Sequence, residues 1–113
     1  MKTFLICPVR SVSDNELKII SRFVANLEMQ GTTVYWPYRD TDQNDNTGNK
    51  ICSSNLLAMR DADVVYVWWN PESTGSVFDL GMAWALGKKI KLANDVPITK
   101  GKSFGNLLRW LDK

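Results

Sequence analysis

Apolar residues follow two alternating spacings along the chain. Four short runs rich in adjacent apolar and β-branched residues predict strands, at 3–7, 32–36, 63–69 and 89–93. Between and after these runs, apolar residues recur at helical spacing and predict helices, at 13–30, 51–60, about 77–86 and, finally, around Phe104, Leu107, Leu108 and Leu111. Strands and helices therefore alternate along the whole chain.

The predicted fold class is α/β: a flavodoxin/Rossmann-like three-layer sandwich with a mostly parallel sheet of about four to five strands. At 113 residues the chain is expected to form a single domain, residues 1–113. Ligands of such sheets bind beyond the carboxyl ends of the strands, so candidate site loops lie at 8–13, 37–49 and 70–76. Residues 39–50 include no apolar side chain and predict a loop longer than a simple connection requires.

Serine residues mark the starts of two predicted helices. Ser13 and Glu16 have the spacing of a capping box at the first helix, which Gly31 ends. Ser76 and Asp79 have the same spacing, with Asp in place of the usual Glu. This spacing would put Asp79 in the first turn of its helix.

Composition and charge argue against several classes of protein. Hydrophobic residues make up 44% of the chain and charged residues 23%, which is typical of a folded globular protein. A net charge of +2 without a basic stripe argues against nucleic acid as a partner, and no apolar run is long enough for a membrane partner. Without histidine, a zinc site or a His-based triad is not expected. Cys7 and Cys52 lack metal-ligand spacing and are expected to be reduced thiols, which predicts a cytoplasmic location.

Two loops carry residues that suit an anionic or sugar ligand. Arg10 precedes a helix start, where a guanidinium and free backbone N–H groups favour phosphate or carboxylate; alternatively, Arg10 is solvated and the loop only caps the helix. Asp79 follows Gly75 and Ser76, which allow the backbone to approach a ligand. Its carboxylate could act as a nucleophile or stabilise a sugar cation, or it could simply cap the helix.

Aromatic residues gather near the predicted carboxyl ends of two strands, at Trp36, Tyr38, Trp68 and Trp69. They could stack on a nucleobase, or they could fill the core or an oligomer interface. Adjacent strand residues point to opposite faces of a sheet. At most one of Trp68 and Trp69 is therefore expected to face a ligand.

Three segments resemble a known family: Ala62-Asp63-Val64-Val65, Gly75-Ser76-Val77-Phe78-Asp79-Leu80-Gly81-Met82-Ala83 and Gly87-Lys88-Lys89-Ile90. They resemble the nucleoside 2-deoxyribosyltransferase superfamily, which includes the 2′-deoxynucleoside 5′-monophosphate N-glycosidases. The resemblance covers most of the chain in element order, and its specific part covers about residues 55–90. It implies a flavodoxin-like fold, a nucleoside or nucleotide substrate, cleavage of an N-glycosidic bond, and no metal or organic cofactor.

The resemblance also implies roles for individual residues. Asp79 occupies the place of the family's nucleophilic glutamate, and Asn55 the place of an acidic residue that orients the sugar or protonates the base. Arg10 and Ser11 match the pair that holds a 5′-phosphate in the monophosphate hydrolases. The remaining candidate substrate-binding residues are Pro8, Trp36, Tyr38, Asp40, Trp69, Gly75, Ser76 and Met82.

Two departures from the family pattern leave the activity open. Asp79 is one methylene shorter than glutamate, and a displacement of about 1 Å can lower a rate by on the order of a hundredfold. Asn55 has no acidic proton to donate, although a second acid from residues 40–45 could take over that role. The chain is therefore expected to be an N-glycosidase or deoxyribosyltransferase or, alternatively, a non-catalytic module that binds a nucleotide-derived ligand.

A structural subunit with a vestigial pocket is a third possibility. Flavodoxin-like electron transfer is disfavoured, because residues 8–13 lack the Ser/Thr and Gly run expected around a flavin phosphate. We expect a homodimer or a higher homo-oligomer, since sites of the family are often completed by a neighbouring subunit. Base preference, the need for a 5′-phosphate, and hydrolysis versus transfer depend on the shape of the pocket.

Overall fold

A computed structural model describes residues 1–112 and confirms the α/β fold. Its elements in chain order are β1 (Lys2–Ile6), α1 (Asp14–Met29), β2 (Thr33–Tyr35), α2 (Pro37–Asp40), α3 (Asn49–Asp61), β3 (Val64–Val67), α4 (Thr74–Ala85), β4 (Lys89–Leu92) and α5 (Phe104–Leu111). The strands form a four-stranded sheet in the order β2-β1-β3-β4, and every neighbouring pair is parallel. No helix in the described part of the chain is long and apolar enough to cross a membrane.

The sheet buries a separate cluster of side chains on each face. Leu5 and Ile6 are adjacent on β1, belong to different clusters and are both fully buried. The cluster on the Ile6 face draws on the strands and on α3, α4 and α5, and includes Phe4, Met59, Val65, Val67, Leu80, Ala83, Ile90 and Leu108. On the Leu5 face, α1 contributes Ile20 and Val24. Three helices therefore cover one face, and α1 covers the other.

Helix α1 starts at the predicted place and also holds the end of β3. The Ser13 hydroxyl accepts a hydrogen bond from the Glu16 N–H at 3.1 Å, and Gly31 follows the helix with φ of 90°, in the left-handed region that glycine tolerates. The Glu16 carboxylate does not complete a capping box. It accepts hydrogen bonds from Trp68 Nε1 at 3.0 Å and from Asn70 Nδ2 at 3.4 Å. Glu16 therefore ties the start of α1 to the segment that leaves β3.

The loop expected at 39–50 is shorter in the structure. Helix α2 takes its first residues and α3 its last, so the irregular stretch is 41–48. Asp45 accepts hydrogen bonds from the N–H groups of Lys50 at 2.8 Å and Ile51 at 3.0 Å. These bonds satisfy backbone donors at the start of α3, which apolar spacing alone does not reveal.

Helix α4 starts one turn earlier than predicted, and this changes the place of Asp79. Ser73 is the N-cap: its Oγ accepts from the Ser76 N–H at 3.3 Å and lies 2.8 Å from Ser76 Oγ in a second hydrogen bond. The predicted capping box of Ser76 and Asp79 is therefore wrong, and Asp79 lies in the second turn. Apolar spacing missed the first turn because Thr74, Gly75 and Ser76 form it.

Candidate functional site

A cavity of about 490 Å³ lies beyond the carboxyl ends of β1 and β3, where ligands bind to parallel α/β sheets. Its walls come from the loops that follow these two strands, from residues 41–48 and from the first halves of α3 and α4. Of the predicted site residues, it brings together Arg10, Ser11, Asn55, Gly75 and Asp79. We call it the Asp79 cavity.

The Asp79 side chain is half-buried, and the protein does not compensate its carboxyl group for the lost hydration. Burial raises its pKa to about 7. The group makes no hydrogen bond or ion pair with any of residues 1–112, so no donor offsets its lost hydration. Charged and neutral forms are therefore both populated near neutral pH, and such a group in a cavity is typical of functional sites.

Asn55 lies on α3 and is buried at the wall of the same cavity. Its Oδ1 accepts a hydrogen bond from the Thr41 hydroxyl at 2.8 Å, and Thr41 Oγ1 lies 2.7 Å from the Tyr35 hydroxyl. Within the described chain, no residue accepts a hydrogen bond from Asn55 Nδ2. The amide is therefore held at its oxygen and unpartnered at its nitrogen.

The loop after β1 brings Arg10 and Ser11 to the lining. Ser11 has φ of 56° and is the one non-glycine residue among 1–112 with a positive φ. This backbone conformation costs a non-glycine residue roughly 1–2 kcal/mol, and such strain is concentrated at functional sites. Arg10 is exposed and makes no ion pair with another described residue, so its guanidinium is available to an anion.

Trp36, Tyr38 and Asp40 lie outside the lining of the Asp79 cavity. Trp36 is buried, and its ring stacks on Tyr38 with centroids 5.3 Å apart. Asp40 accepts hydrogen bonds from the Trp36 N–H and from Arg39 Nε, each at 2.8 Å. These three side chains therefore pack and hold the α2 turn.

Pro8, Trp69, Ser76 and Met82 lie outside the lining as well. Pro8 and Ser76 are buried, and Met82 packs against the core cluster. Trp69 and Trp68 lie on opposite faces of the sheet, as strand alternation predicts. Trp69 lines a second cavity, of about 900 Å³, between the loop after β3 and the segment before α5.

Glu72 lines the Asp79 cavity but was not among the predicted contacts. It is an exposed residue of the loop between β3 and α4, and it brings a second carboxyl group to the lining. The acidic residues at 40–45 lie outside this lining. Asp40 accepts a hydrogen bond from the backbone at the start of α2, Asp45 accepts one from the backbone at the start of α3, and Asp42 lines a separate surface pocket. The second acid of the site therefore comes from the loop that precedes Asp79.

Phe78 is another lining residue that sequence reasoning missed. It precedes Asp79 on α4, and its side chain is 56% exposed. Residues four apart share a face of a helix, so the true start of α4 pairs Thr74 with Phe78 and Gly75 with Asp79. All four line the cavity, and a correct helix start would have found Phe78.

Two free thiols, Cys7 and Cys52, also line the cavity. Burial, with a smaller contribution from the charges of Asp79 and Glu16, raises the pKa of the Cys7 thiol to about 12. Cys7 therefore stays protonated at neutral pH and is a poor nucleophile. Residues 1–112 contain no group of three or more His, Cys, Asp or Glu side chains that could hold a metal ion.

The fold and the site define a flavodoxin-like α/β protein with a small-molecule cavity and a perturbed carboxyl group beyond its strand ends. The family model for nucleoside 2-deoxyribosyltransferase matches residues 6–108, and the chain belongs to this family. Membership supports deoxyribosyl transfer or N-glycosidic cleavage as the general chemistry, with a small nucleoside as substrate.

Solved structures share this fold. The 2-deoxyribosyltransferase of Bacillus psychrosaccharolyticus matches with a TM-score of 0.70 and 22% identity, over 86% of this chain and 77% of that one. The Clostridium botulinum CMP N-glycosidase BcmB matches with a TM-score of 0.59 and 24% identity, over 81% and 70% of the two chains. For the Leishmania mexicana 2-deoxyribosyltransferase the values are 0.61 and 22%, over 80% and 62%. No curated protein sequence matches the chain.

Proposed function

We propose that the protein cleaves the N-glycosidic bond of a (deoxy)nucleoside or its 5′-monophosphate, with Asp79 as the nucleophile. One observation carries this proposal: a half-buried carboxyl group with a raised pKa and without a partner in the described chain lies on the lining of the cavity beyond the strand ends. Membership of the nucleoside 2-deoxyribosyltransferase family supplies the class of bond.

The ionised Asp79 carboxylate would attack C1′ of the sugar. A C1′–O bond forms while the C1′–N bond breaks, and the bonding electron pair leaves with the base nitrogen, which takes up a proton. Water supplies that proton, and Glu72 carries the other carboxyl group on the lining, where it could act as a base in the second step. Water then attacks C1′, gives its proton to Glu72 and releases the sugar from Asp79. In a transfer, the ring nitrogen of a second base attacks C1′ in place of water.

Binding would use three further residues of the lining. Arg10 and Ser11 would hold a 5′-phosphate, for which a guanidinium offers paired N–H donors. The exposed ring of Phe78 would pack against the base, because every nucleobase has a flat face.

Chromatographic detection of free base tests the proposal on a panel of deoxynucleosides and deoxynucleoside monophosphates. Asp79→Asn keeps the shape of the side chain and removes the nucleophile, whereas Asp42→Asn removes an acid from a separate pocket. We expect the unsubstituted and Asp42→Asn proteins to release base, and Asp79→Asn to be slower by on the order of a thousandfold or more. Equal release by Asp79→Asn would reject this nucleophile, and no release by the folded unsubstituted protein would reject cleavage.

A binding module without turnover is the second candidate function. Asn55 favours it, because an amide stands at the cavity wall in the place where the family pattern has an acid. This function predicts that deoxynucleoside monophosphates bind to the unsubstituted and the Asp79→Asn protein with similar affinity by calorimetry. Neither protein would then release base.

We also infer that the protein forms a homodimer or a larger homo-oligomer through the outward face of α4. The exposed residues of this face carry no charge and are Thr74, Gly75, Phe78, Gly81, Trp84 and Ala85. Phe78 also lines the Asp79 cavity, so a second copy on this face would border the site. The two free thiols support a reducing compartment, and we propose a cytoplasmic location.

A further inference from the structure

The second cavity, of about 900 Å³, lies beyond the carboxyl ends of β3 and β4 and is separate from the Asp79 cavity. Among residues 1–112, none lines both cavities. The loop after β3 lies between them, because Pro71 lines the second cavity and Glu72 lines the Asp79 cavity. Small-molecule pockets usually have volumes of about 300–1,000 Å³. The second cavity therefore has room for a ligand that the proposed reaction does not use.

The wall of the second cavity contains an indole N–H without a partner. Trp69 is 8% exposed, and its Nε1 makes no hydrogen bond within the described chain. This nitrogen is not among the unpartnered side-chain atoms that are closed off from solvent, so it is reached from the cavity. An indole N–H can only donate, and a donor that loses its hydration needs an acceptor in return. A ligand with an acceptor atom would satisfy it.

The start of α5 lies beside this indole N–H. A Cβ atom at Gly105 would lie 3.7 Å from Trp69 Nε1 and 3.3 Å from Val96 Cγ1, so the absence of a side chain keeps the nitrogen accessible. Phe104 and Gly105 are the first two residues of α5, and neither donates its N–H to any of residues 1–112. Free N–H groups and the positive end of a helix favour an anion. Together with the indole they favour a negatively charged acceptor.

Two asparagine side chains hold the walls of the second cavity in place. Asn94 Oδ1 accepts from the Trp69 N–H at 2.7 Å, and Asn94 Nδ2 donates to the Trp69 carbonyl at 3.0 Å. Asn106 Oδ1 accepts from the Thr99 N–H at 3.0 Å, and Asn106 Nδ2 donates to the carbonyls of Thr99 at 2.9 Å and Gly101 at 2.8 Å. Both walls are therefore ordered before a ligand binds, which lowers the entropic cost of binding.

The rest of the lining is mainly apolar and carries two opposite charges. Pro71, Pro97 and Phe104 present flat surfaces, and the Phe104 ring is 53% exposed. Flat ligands pack well against such surfaces. Lys102 and Asp95 are exposed residues of the same lining, so the first attracts an anion and the second repels it.

We infer that the second cavity is a binding site for an aromatic carboxylate. The carboxylate would accept hydrogen bonds from Trp69 Nε1 and from the free N–H groups at the start of α5, and the aromatic part would pack against Phe104 and Pro97. Lys102 would add a longer-range attraction. This inference goes beyond the proposed function and does not depend on it, because no step of the cleavage reaction involves these residues.

Nuclear magnetic resonance of the ¹⁵N-labelled protein tests the site directly, because each of the five tryptophans gives one indole N–H signal. The signal of Trp69 is the one that Trp69→Phe removes. The probes are indole-3-acetate, its uncharged amide indole-3-acetamide, and acetate, which lacks the aromatic part. We expect indole-3-acetate to shift the Trp69 signal more than the other four. Calorimetry should show the amide to bind at least about 10-fold more weakly, and acetate more weakly still.

Two substitutions test the donor and the space beside it. Trp69→Phe removes the N–H and keeps an aromatic ring, and it should weaken indole-3-acetate binding by about 10-fold. Gly105→Ala places a methyl group next to the indole nitrogen and should weaken binding to a similar extent, while alanine is favourable to the helix. Trp84→Phe is the matched control, because Trp84 is an exposed tryptophan of α4 outside this lining, and it should leave the affinity unchanged.

The two charges give a test that leaves the walls intact. Lys102→Gln should weaken indole-3-acetate binding by about two- to fivefold, and Asp95→Asn should strengthen it by a similar factor, because both residues are exposed and screened by solvent. Neither substitution should change the affinity for the amide. Lys100→Gln is the control, since Lys100 is an exposed lysine outside the lining.

The absence of binding by indole-3-acetate to the folded protein would overturn the inference. Equal affinity for the acid and the amide would do the same, as would full affinity in both Trp69→Phe and Gly105→Ala. Asp79→Asn should bind indole-3-acetate as the unsubstituted protein does, because Asp79 lies outside this lining. Base release decides the proposed function separately, so either conclusion can fail while the other holds.

Discussion

At the scale of a single residue, Asp79 is subject to two opposing requirements. A nucleophile must be ionised, yet its burial favours the neutral form and raises the pKa of the carboxyl group to about 7. A carboxylate destabilised in this way is also more reactive toward an electron-poor carbon. The charge of this one group therefore affects both the rate and the free energy of unfolding.

The rate of cleavage should rise with pH through about 7. Below that value the neutral acid predominates, and kcat/KM should increase about tenfold per pH unit before it levels off above the pKa. The measurement is base release at saturating and limiting substrate between pH 5 and 9. A profile that falls as the pH rises through 7 would contradict ionised Asp79 as the attacking group.

Asp79→Asn should stabilise the fold above neutral pH. Between the unfolded value of 3.8 and the folded value of about 7, the folded protein binds more protons at Asp79 than the unfolded chain does, so this group's contribution falls as the pH rises. From pH 4 to pH 8 the free energy of unfolding of the unsubstituted protein should fall by about 4 kcal/mol relative to Asp79→Asn. Urea unfolding at several pH values measures this difference. Asp42→Asn is the control, and parallel curves for the unsubstituted and Asp79→Asn proteins would exclude the effect.

Phe78→Ala should reduce affinity for base-bearing ligands with little change in stability. Its ring is 56% exposed and lines the cavity, and stacking of a base on an aromatic side chain contributes about 1–3 kcal/mol. Calorimetry with a deoxynucleoside monophosphate and with 2-deoxyribose 5-phosphate should show the loss for the first ligand only. Phe104→Ala is the control, because Phe104 is similarly exposed but lines the second cavity, the one that Trp69 also lines. An equal loss for both ligands would show that Phe78 does not contact the base.

The sequence identified several residues of the cavity but not the directions of all side chains. Arg10 reaches the cavity because it follows β1, whose end could be predicted, and Asn55 lies within a helix that apolar spacing also predicted. Asp79 lies on α4, a helix that was predicted to start one turn later than it does. Trp36 was predicted at a strand end too, but its ring packs on Tyr38 within the fold. Spacing along the chain gives the place of a residue, whereas neighbours distant in sequence decide where a flat ring packs.

At the scale of elements, the start of α4 determines the site. Two serines three positions apart, Ser73 and Ser76, could each cap this helix, and the intervening residues have no apolar side chain that would mark a helical face. The structure selects Ser73, and Ser76 becomes a buried partner of the cap. Because of this choice, Asp79 projects from the second turn.

Ser73→Ala should destabilise the protein by about 1 kcal/mol, through loss of the hydrogen bond to the Ser76 N–H. The measurement is the urea midpoint with an unchanged m-value. Ser53→Ala is the control, because Ser53 is exposed within α3 and its side chain makes no hydrogen bond in the described chain. Since alanine is a better helix former, that control should be neutral or slightly stabilising. A neutral Ser73→Ala would assign the cap to another residue.

At the scale of the whole molecule, the alternation of elements predicted the parallel sheet and its helices. The order of strands across the sheet, β2-β1-β3-β4, could not be predicted, because local patterns do not record which strands pair. The same limit applies to the Tyr35–Thr41–Asn55 hydrogen bonds, which join three elements. The spacing of apolar residues does not predict contacts between segments that are distant in sequence.

A charge on the outward face of α4 should break the proposed oligomer. Trp84 is 50% exposed on this uncharged face, and Trp84→Lys would place an ammonium group in an apolar contact between copies. Light scattering should give the mass of a single chain for Trp84→Lys and a multiple of it for the unsubstituted protein. Phe104→Lys, which adds the same charge on α5, should leave the mass unchanged. A single-chain mass for the unsubstituted protein would reject the interface.

The hydrogen bonds of Glu16 have a consequence for how a ligand enters. They join α1, which follows the loop of Arg10 and Ser11, to the segment that leads from β3 toward Asp79. Two walls of the cavity are therefore connected through one carboxylate. Such a site is preorganised: little conformational entropy is lost in these walls when a ligand binds, and selectivity at them depends on fit rather than on closure.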